Sequence, residues 1–476
     1  MCGIAGVCLP DGREVVGSGL AEALLALRHR GPDGEGTFTA PGIALGMRRL
    51  AIIDLVTGAQ PVFNEDRSVV AVLNGEIYNY VELRESLRQR GHAFATASDT
   101  EVLVHLYEDE GEALCSRLRG MFAFAIWDGR ARTLLLARDR FGKKPLYVAP
   151  LPGGLAFASE LKGLRPLLRG AGAAPRVREQ GIYDYLSLGA VPQPDTVYEG
   201  VSAVGPGRWL RFDGERIREQ AYWRPELEPK TAISYADAQE ELRRTVGEAV
   251  RLRLRSDVPV GVFLSGGVDS SVVAYEAARH LGGGLRTFTV SVADAEMDEA
   301  PVARRTAAAL GVENVVLPLH VAPRDEVLAV ARHFDQPFAD PSAIRTAPVG
   351  GGSAAALRPR ARARARRALP RLDEGPAARR GQEAGVARAA ATGDGGMGRG
   401  AARLQPRRRG RANRGRHRHR AALEPAREDG HGDDGRLPGG PFAVPRPRGR
   451  AVRAAAAGRL PRARRAAEGG AARRLP

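Results

Sequence analysis

Cys2 directly follows the initiator methionine, in the sequence Met-Cys-Gly-Ile-Ala-Gly. If Met1 is removed, Cys2 carries both a thiol and a free α-amine. The ordinary pKa of an α-amine, about 8, lets it act as a base near neutral pH, and a thiol is a strong nucleophile once it is ionised. A nucleophile and a base on one residue is the arrangement used in N-terminal-nucleophile catalysis. A cysteine can also stand here by chance, so this prediction depends on the segments that follow.

Three later segments supply groups that a thiol attacking a primary carboxamide needs. Residues 30–34, Arg-Gly-Pro-Asp-Gly, predict a tight turn with available backbone N–H groups, because proline presets φ and glycine tolerates positive φ. Arg49 can hold an α-carboxylate through two parallel hydrogen bonds. Asn74 and Gly75 follow the apolar run 69–73, which predicts a buried strand. Their side-chain amide and backbone N–H groups can form an oxyanion hole.

Glu76 and Asp99 are carboxylates that can receive a substrate ammonium group. Each of these segments also has an ordinary structural explanation. Asn-Gly is a common hairpin turn, Arg49 can be a surface charge, and Asp99 can be the N-cap of a helix at 101–107. The occurrence of all of them in this order favours the catalytic explanation.

These segments carry a family resemblance. MCGIAG, RHRGPDGEG, RRLAIIDL, NGEIYNYVELR, SDTEVLVHLYE and RDRFGKKPLYV resemble the class II glutamine amidotransferase domain of glutamine-hydrolysing asparagine synthetases, from residue 1 to about 162. The resemblance implies an α+β four-layer (αββα) N-terminal-nucleophile hydrolase fold. It also implies that Cys2 is the nucleophile and that Asn74 and Gly75 stabilise the oxyanion. The glutamine-binding residues that it implies are Arg49, Leu50, Ala51, Ile52, Ile53, Asn74, Gly75, Glu76 and Asp99.

A second motif lies at 258–271, where an apolar run is followed by Ser-Gly-Gly-Val-Asp-Ser-Ser. The pattern predicts a strand, a glycine-rich turn and a helix whose first N–H groups bind an anion. It is not a Walker A loop, because no Gly-Lys-Ser/Thr follows. Asp269 in this segment can help to place Mg²⁺. The motif is similar to the pyrophosphate loop of ATP pyrophosphatases, which implies that ATP and Mg²⁺ bind as a substrate complex, with no tightly bound prosthetic group. The ATP-binding residues implied are Leu264, Ser265, Gly266, Gly267, Val268, Asp269, Ser270, Ser271 and Val290.

Strands at 285–292 and 315–319 and helices at 299–310 and 326–333 follow this motif. Their alternation predicts an α/β doubly wound parallel sheet. The domain is partial, because the resemblance stops after about residue 344 and the second glycine-rich loop of the family, SGDGGDE, does not follow. We expect a glutaminase domain at 1–190, a connecting segment at 191–236, a partial synthetase domain at 237–344 and a tail at 345–476.

The tail contains 33 Arg, no Lys and 10 acidic residues, which gives it a net charge of +23. Since the whole chain carries +17, residues 1–344 carry −6. A segment with so few large apolar residues is expected to be disordered. Three explanations stay open: a basic arm that binds nucleic acid, a solvated low-complexity extension, or translation of a GC-rich gene in the wrong frame. The abrupt change of composition favours the last.

The remaining predictions concern cellular location and function. Three cysteines, Cys2, Cys8 and Cys115, are too few for a disulfide framework, which favours the cytoplasm. No apolar stretch reaches the roughly 20 residues of a membrane span. The resemblance implies ATP-dependent asparagine synthesis from aspartate with ammonia from glutamine; we expect a complete glutaminase half and a compromised synthetase half. Another carboxylate acceptor, a basic nucleic-acid-binding protein with a relict enzyme domain, and a homodimer stay open.

Overall fold

The computed structural model describes residues 1–9, 15, 19–292, 294, 296–319, 328, 331, 333–340 and 343. The tail at 345–476, for which the sequence predicts disorder, lies outside these residues. Most of the helix predicted at 326–333 also lies outside them. The elements given below are those of the described residues.

The first sheet is antiparallel and has six strands. In spatial order they are β10 (Ser202–Ala203), β8 (Tyr147–Leu151), β9 (Gly154–Ala158), β1 (Gly3–Cys8), β3 (Ile43–Arg49) and β2 (Gly34–Ala40). Strand β1 lies between β3 and β9, and all of its residues are buried. Cys2 precedes this strand, so an inner strand fixes the position of the predicted nucleophile.

The second sheet is also antiparallel and six-stranded. Its strands are β12 (Ile217–Ala221), β11 (Arg208–Phe212), β7 (Thr133–Arg138), β6 (Gly120–Asp128), β5 (Val69–Ile77) and β4 (Val62–Phe63). The strand predicted at 69–73 is confirmed, but it continues to Ile77 and pairs with β6 along its whole length. Asn74 and Gly75 therefore lie inside a strand and not in a hairpin turn.

The two sheets pack face to face, because apolar side chains of both meet in one buried cluster that includes Ile4, Val72 and Phe157. Helices cover the two outer faces. The first sheet packs against α1 (Leu20–Ala26) and α5 (Leu161–Gly170), and the second against α2 (Tyr80–Gln89), α3 (Val102–Glu110) and α4 (Leu114–Arg117). The expected four-layer αββα fold is confirmed.

Part of the expected connecting segment, 191–236, belongs to these sheets. It follows α6 (Glu179–Leu188) and contributes strands β10, β11 and β12. The side chains of Leu210 and Phe212 alternate into the core between the sheets. This period-two alternation is a strand signal, and the neighbouring Pro and Gly residues obscured it in the sequence. After β12, residues 222–234 form no helix or strand.

The chain continues with a parallel three-stranded sheet in the order β13-β14-β15. The elements are α7 (Tyr235–Arg253), β13 (Gly261–Phe263), α8 (Val268–Leu281), β14 (Arg286–Ser291), α9 (Ala300–Ala309) and β15 (Glu313–Pro318). These agree with the predicted alternation. Strand β13 is shorter than the apolar run at 258–264, because Pro259 has no N–H group to donate to a neighbouring strand.

Direct contacts join the parallel sheet region to the four-layer domain. The N–H of Asp257 donates to the carbonyl oxygen of Ile52 over 3.0 Å, and the N–H of Asp54 donates to Asp257 Oδ2 over 2.6 Å. Arg255 donates to Glu82 Oε2 over 2.7 Å. The segment before β13 therefore holds the loop that contains the predicted glutamine-binding run 49–53. Within the described residues, no helix has the length and apolar character needed to cross a membrane.

Candidate active site

A cavity of about 120 Å³ opens beside Cys2, between the ends of the two large sheets. Of the residues predicted for glutamine hydrolysis, all except Ala51 line it. Ala51 instead donates its N–H to Asp33 over 3.2 Å. The residues brought together are Cys2, Arg49, Leu50, Ile52, Ile53, Asn74, Gly75, Glu76 and Asp99.

Cys2 is buried, with 8% of the residue exposed, and its thiol contacts the backbone of Leu50. The Leu50 N–H donates to Cys2 Sγ over 3.4 Å, and Sγ lies 3.7 Å from the Leu50 carbonyl oxygen. Burial raises the pKa of the Cys2 thiol above its ordinary value. Because a buried thiol is reluctant to ionise, it needs a base close by to become a nucleophile.

The chain start lies in the same cavity. Burial lowers the pKa of the Met1 α-amine to about 6, so an amine placed here is largely unprotonated at neutral pH. The Met1 side chain also lines the cavity, and its sulfur lies 2.9 Å from Lys144 Nζ. Removal of Met1 would therefore enlarge the space beside Cys2 and Lys144.

Arg30 and Glu160 fix the main chain of Cys2. Arg30 Nε donates to the Cys2 carbonyl oxygen over 2.8 Å, and Arg30 Nη1 donates to Glu160 Oε1 over 2.6 Å. Burial favours the neutral acid at Glu160, but hydrogen bonds from His29 and Arg30 overcome it and lower the pKa of this carboxyl to about 2. The segment 30–34, predicted as a turn, thus contributes the Arg30 side chain, which positions the nucleophile. The composition of the segment did not predict this role.

Asn74 is fully buried and has a side-chain amide with little to bind. Its Nδ2 donates to Ser159 Oγ over 3.5 Å, at the outer limit of a hydrogen bond, and its Oδ1 has no partner among the described residues. Buried polar atoms are normally paired. An amide left in this condition at the edge of a cavity is available to a ligand.

Gly75 has a φ of 149°, and a Cβ atom there would lie 2.0 Å from the carbonyl oxygen of Met121 on β6. No side chain fits so close to the backbone of the neighbouring strand. The close pairing brings the Gly75 backbone to the cavity wall beside Asn74.

Two carboxyls at the far side of the cavity have raised pKa values. Burial, followed by the negative charge of Asp99, raises the pKa of Glu76 to about 7. Burial also raises the pKa of Asp99 to about 6, although the N–H of Ile77 donates to Asp99 Oδ2 over 2.8 Å. Because that bond uses the Asp99 carboxylate, Asp99 does not cap α3, whose N-cap is Glu101. A cation bound between two neighbouring carboxyls stabilises their charged forms.

Arg49 stabilises its own loop through side-chain hydrogen bonds. Its Nη2 donates to the carbonyl oxygens of Ile53 and Asp54 over 3.0 and 2.6 Å. Both bonds use one nitrogen, so the other N–H groups of the guanidinium are the donors that a ligand carboxylate can use.

Sequence reasoning gave no role to Lys144, although it lies within the quoted motif RDRFGKKPLYV. Its side chain is buried and lines the cavity. Burial lowers the pKa of the Lys144 ammonium, while the charge of Glu76 opposes that shift. Two adjacent lysines at 143 and 144 look like surface residues in a sequence, and only the fold shows that one of them is buried.

The second predicted site lies at the carboxyl end of β13. Ser265 Oγ and Ser270 Oγ are 2.7 Å apart, and the Gly267 N–H donates to Ser265 Oγ over 3.2 Å. The serines, glycines and Val268 predicted for ATP therefore surround the first turn of α8, where N–H groups attract anions. Asp269 also lies in this first turn, Leu264 is buried at the end of the strand, and Val290 lies on the adjacent strand β14.

Glu299, which sequence reasoning did not single out, contacts this loop. The N–H of Gly266 donates to Glu299 Oε2 over 3.1 Å. A carboxylate oxygen thus already occupies one of the backbone donors of the loop.

Two family models match the chain: the glutamine amidotransferase domain at residues 1–223 and asparagine synthase at residues 241–349. Asparagine synthetase (glutamine-hydrolyzing) 1 of Bacillus subtilis is 40% identical over 321 residues, which cover 66% of this chain and 49% of the relative. Asparagine synthetase (glutamine-hydrolyzing) 3 of Arabidopsis thaliana is 38% identical over 304 residues, which cover 61% of this chain and 46% of the relative. The chain spans about half the length of these curated relatives.

Among solved structures, the glutamine phosphoribosylpyrophosphate amidotransferase of B. subtilis is 19% identical with a TM-score of 0.35. The match covers 73% of this chain and 70% of that chain. This distant likeness adds nothing on function.

Residues 1–223 thus match the glutamine amidotransferase domain family, and the match ends just after β12 and later than the boundary expected at 190. Residues 241–349 match the asparagine synthase family. The resemblance to the glutamine-hydrolysing asparagine synthetases is confirmed for both domains.

Proposed function

We propose that this chain hydrolyses glutamine at Cys2 and uses the ammonia for the ATP-dependent conversion of aspartate to asparagine. One observation carries the first half: the thiol of Cys2, the amide of Asn74 and the carboxyls of Glu76 and Asp99 line one small cavity. The loop at 265–271 supports the second half. Because the chain spans about half the length of its relatives, both halves of the activity are proposals.

In the first step, removal of Met1 exposes the α-amine of Cys2. This amine is proposed to accept the thiol proton. Burial lowers the pKa of the neighbouring Met1 α-amine to about 6, and we expect burial to act on the Cys2 amine in the same direction. The thiolate then attacks the side-chain carbonyl carbon of glutamine, and the protonated amine returns a proton to the leaving nitrogen. Ammonia departs and a γ-glutamyl thioester remains, which water cleaves to glutamate and the free thiol.

Asn74 and Gly75 are proposed to stabilise the oxyanion of each tetrahedral intermediate. A half-turn of the Asn74 amide would let the Ser159 hydroxyl donate to Oδ1 and turn the two Nδ2 hydrogens towards the cavity. The Gly75 N–H would supply the second donor. Donors that are fixed before the reaction stabilise developing charge without reorganising.

Charged side chains are proposed to recognise the α-carboxylate and the α-ammonium group of glutamine. The free N–H groups of Arg49 suit the α-carboxylate. Glu76 and Asp99 suit the α-ammonium, and a bound cation would offset their mutual repulsion. Leu50, Ile52 and Ile53 supply apolar wall beside these charges.

At the second site, the loop at 265–271 is proposed to hold the pyrophosphate of ATP·Mg²⁺, with Asp269 on the metal side. The β-carboxylate of aspartate attacks the α-phosphorus of ATP, which releases pyrophosphate and gives an acyl adenylate. Ammonia then displaces AMP to give asparagine. We propose that this half is compromised, because the asparagine synthase match ends at 349 and no SGDGGDE-like loop occurs at 345–476. Amidation of another carboxylate is the alternative, since the two sites fix the nitrogen donor and the nucleotide but not the acceptor.

The experiment measures glutamate release and asparagine formation by the purified full-length chain, with intact mass to locate its first residue. Cys2→Ala should abolish glutamate release, and Cys115→Ala, which changes a buried cysteine of the helical layer, should retain it. Ammonia release by Cys2→Ala, or an active protein that keeps Met1, would contradict the glutaminase proposal. Asparagine formation at the rate of glutamine hydrolysis would contradict only the proposal that the synthetase half is compromised.

We also propose a cytoplasmic location. Cys2, Cys8 and Cys115 are all free thiols in the structure. A catalytic thiol needs a reducing compartment to stay reduced.

A further inference from the structure

Four side chains outside the glutamine cavity converge on one point. They come from different elements: Glu65 lies between β4 and β5, His92 follows α2, and His105 and Glu108 lie on α3. One ligand atom from each residue lies within 4.8 Å of all the others. None of these residues lines the cavity beside Cys2.

The distances between these atoms are close to those of a tetrahedral metal site. His105 Nδ1 lies 3.5 Å from Glu65 Oε2 and 3.7 Å from Glu108 Oε2. His92 Nδ1 lies 3.5 Å from Glu65 Oε1 and 3.9 Å from Glu108 Oε2. Zinc bonds of about 2.0–2.1 Å in tetrahedral geometry place ligands about 3.3 Å apart. Because one atom from each of the four residues lies within 4.8 Å of the others, the four side chains would have to move inward to bind one ion.

His105 gives a second and independent reason to expect a ligand. Its side chain is completely buried, and neither ring nitrogen has a hydrogen-bond partner among the described residues. A buried polar atom without a partner destabilises the fold. The Nδ1 atom of His105 faces the two glutamates, so a cation between them would satisfy it.

The outer contacts of the two histidines follow the pattern of metal ligands. His92 Nε2 lies 3.1 Å from Asp109 Oδ1, and His105 Nε2 lies 3.7 Å from Glu101 Oε1. Each ring thus directs Nδ1 to the cluster and Nε2 to a carboxylate. Metal-bound histidines commonly have this second contact, because it fixes the ring and its tautomer.

The two glutamates are also held in place from outside the cluster. The N–H of Ala93 donates to Glu65 Oε1 over 2.8 Å, and Asn64 Nδ2 donates to Glu108 Oε1 over 2.7 Å. Both carboxylates keep acceptor capacity for a further bond.

We propose that Glu65, His92, His105 and Glu108 bind one divalent transition-metal ion, for which Zn²⁺ is the best match. Two imidazole nitrogens and two carboxylate oxygens suit Zn²⁺, whereas Mg²⁺ and Ca²⁺ prefer oxygen ligands alone. A complete set of four protein ligands is typical of a structural ion. The ion would tie α3 to α2 and to the β4–β5 connection, and α3 begins just after Asp99 of the glutamine cavity.

The test uses the full-length chain without a histidine tag, carrying Cys2→Ala so that the active-site thiol cannot bind metal. Zinc is measured in the purified protein by mass spectrometry, and Co²⁺ is titrated into the chelator-treated protein. We expect one equivalent of zinc in this site and the visible absorption bands of tetrahedral Co²⁺. Histidines in the tail, such as His417, can add background binding, so the variants below provide the decisive difference.

His92→Gln should weaken zinc binding by at least about 100-fold, because losing even an outer partner of a ligand costs 10–100-fold. Asp109→Asn should weaken it by about 10–100-fold while all four ligands remain. His280→Gln, which changes a histidine at the end of α8, is the matched control and should bind zinc normally. Zinc should also raise the melting temperature of the parent protein and not that of His92→Gln.

Two results would overturn the proposal. One is the absence of a zinc equivalent that depends on His92; the cluster would then be a set of histidine–glutamate contacts that binds no metal. The other is an Asp109→Asn protein that is folded by circular dichroism and binds zinc as tightly as the His280→Gln control. Asp109→Asn decides the matter even if His92→Gln fails to fold.

Discussion

Replacement of Asn74 by alanine separates the proposed oxyanion role from a role in stability. The substitution removes one hydrogen bond of 3.5 Å and one buried oxygen that has no partner. A well-formed hydrogen bond contributes about 1 kcal/mol net, and an unpaired buried polar atom costs about 1–3 kcal/mol. Because these effects oppose each other, Asn74→Ala should not lower the free energy of unfolding by more than about 1 kcal/mol.

The expected effect on catalysis is much larger. Loss of one oxyanion donor lowers kcat by about 10²–10³-fold, or about 2.7–4 kcal/mol in transition-state stabilisation. The KM for glutamine should change little, because the oxyanion forms only after substrate has bound. Glutamate release over a range of glutamine concentrations gives both constants, and urea unfolding gives the stability.

Asn79→Ala provides the control with the opposite pattern. Asn79 Nδ2 donates to the Arg117 carbonyl oxygen over 3.0 Å, and its Oδ1 accepts the Arg119 N–H over 2.8 Å. Losing both bonds should cost about 2 kcal/mol of stability and leave kcat near that of the parent protein. If Asn74→Ala kept more than about a tenth of the parent kcat, or lost as much stability as Asn79→Ala, the reasoning would be refuted.

Three further predictions concern other parts of the site. The kcat/KM for glutamine should fall as the pH is lowered through about 7 and about 6, because Glu76 and Asp99 become protonated there and lose their attraction for an ammonium group; a flat profile across this range would contradict it. Gly75→Ala should destabilise the protein by at least about 2 kcal/mol in urea unfolding, because strain at positive φ and overpacking against β6 each cost about 1–3 kcal/mol, and an unchanged midpoint would be the contrary result. Glu160→Gln should lower the free energy of unfolding by about 3–5 kcal/mol at neutral pH, because it leaves the buried Arg30 without its charge partner; a loss below about 1 kcal/mol would mean that solvent already screens this pair.

The sequence predicted the groups that lie on regular elements near their motifs. Cys2 precedes a buried strand, and Asn74 and Gly75 stand at the end of an apolar run, so local pattern and chemistry agreed. The strand–loop–helix at 258–271 was predictable for the same reason, because a glycine-rich turn between two apolar segments has few other structural solutions.

The contributions that were missed depend on contacts between distant segments. Lys144 lies in the wall of a cavity that residues from several segments form. Glu299 accepts the Gly266 N–H because the start of α9 lies near the loop before α8. The His92–His105 cluster needs three separate elements to meet. No periodicity within one segment carries such information. Strand β11 was assigned to the connecting segment because its proline and glycine neighbours outweighed a short alternating pattern.

Asp257 receives the Asp54 N–H and donates to the Ile52 carbonyl, and it stands shortly before Ser265 in the chain. The loop that lines the glutamine cavity and the segment that leads to the proposed ATP-binding loop are therefore joined by hydrogen bonds. If nucleotide binding shifts these hydrogen-bonded segments and thereby raises the affinity for glutamine, glutamine must raise the affinity for nucleotide by the same factor. This follows because the coupling free energy between two binding sites is reciprocal. Asp257→Ala would then uncouple the two affinities while leaving every ligand-contacting group in place.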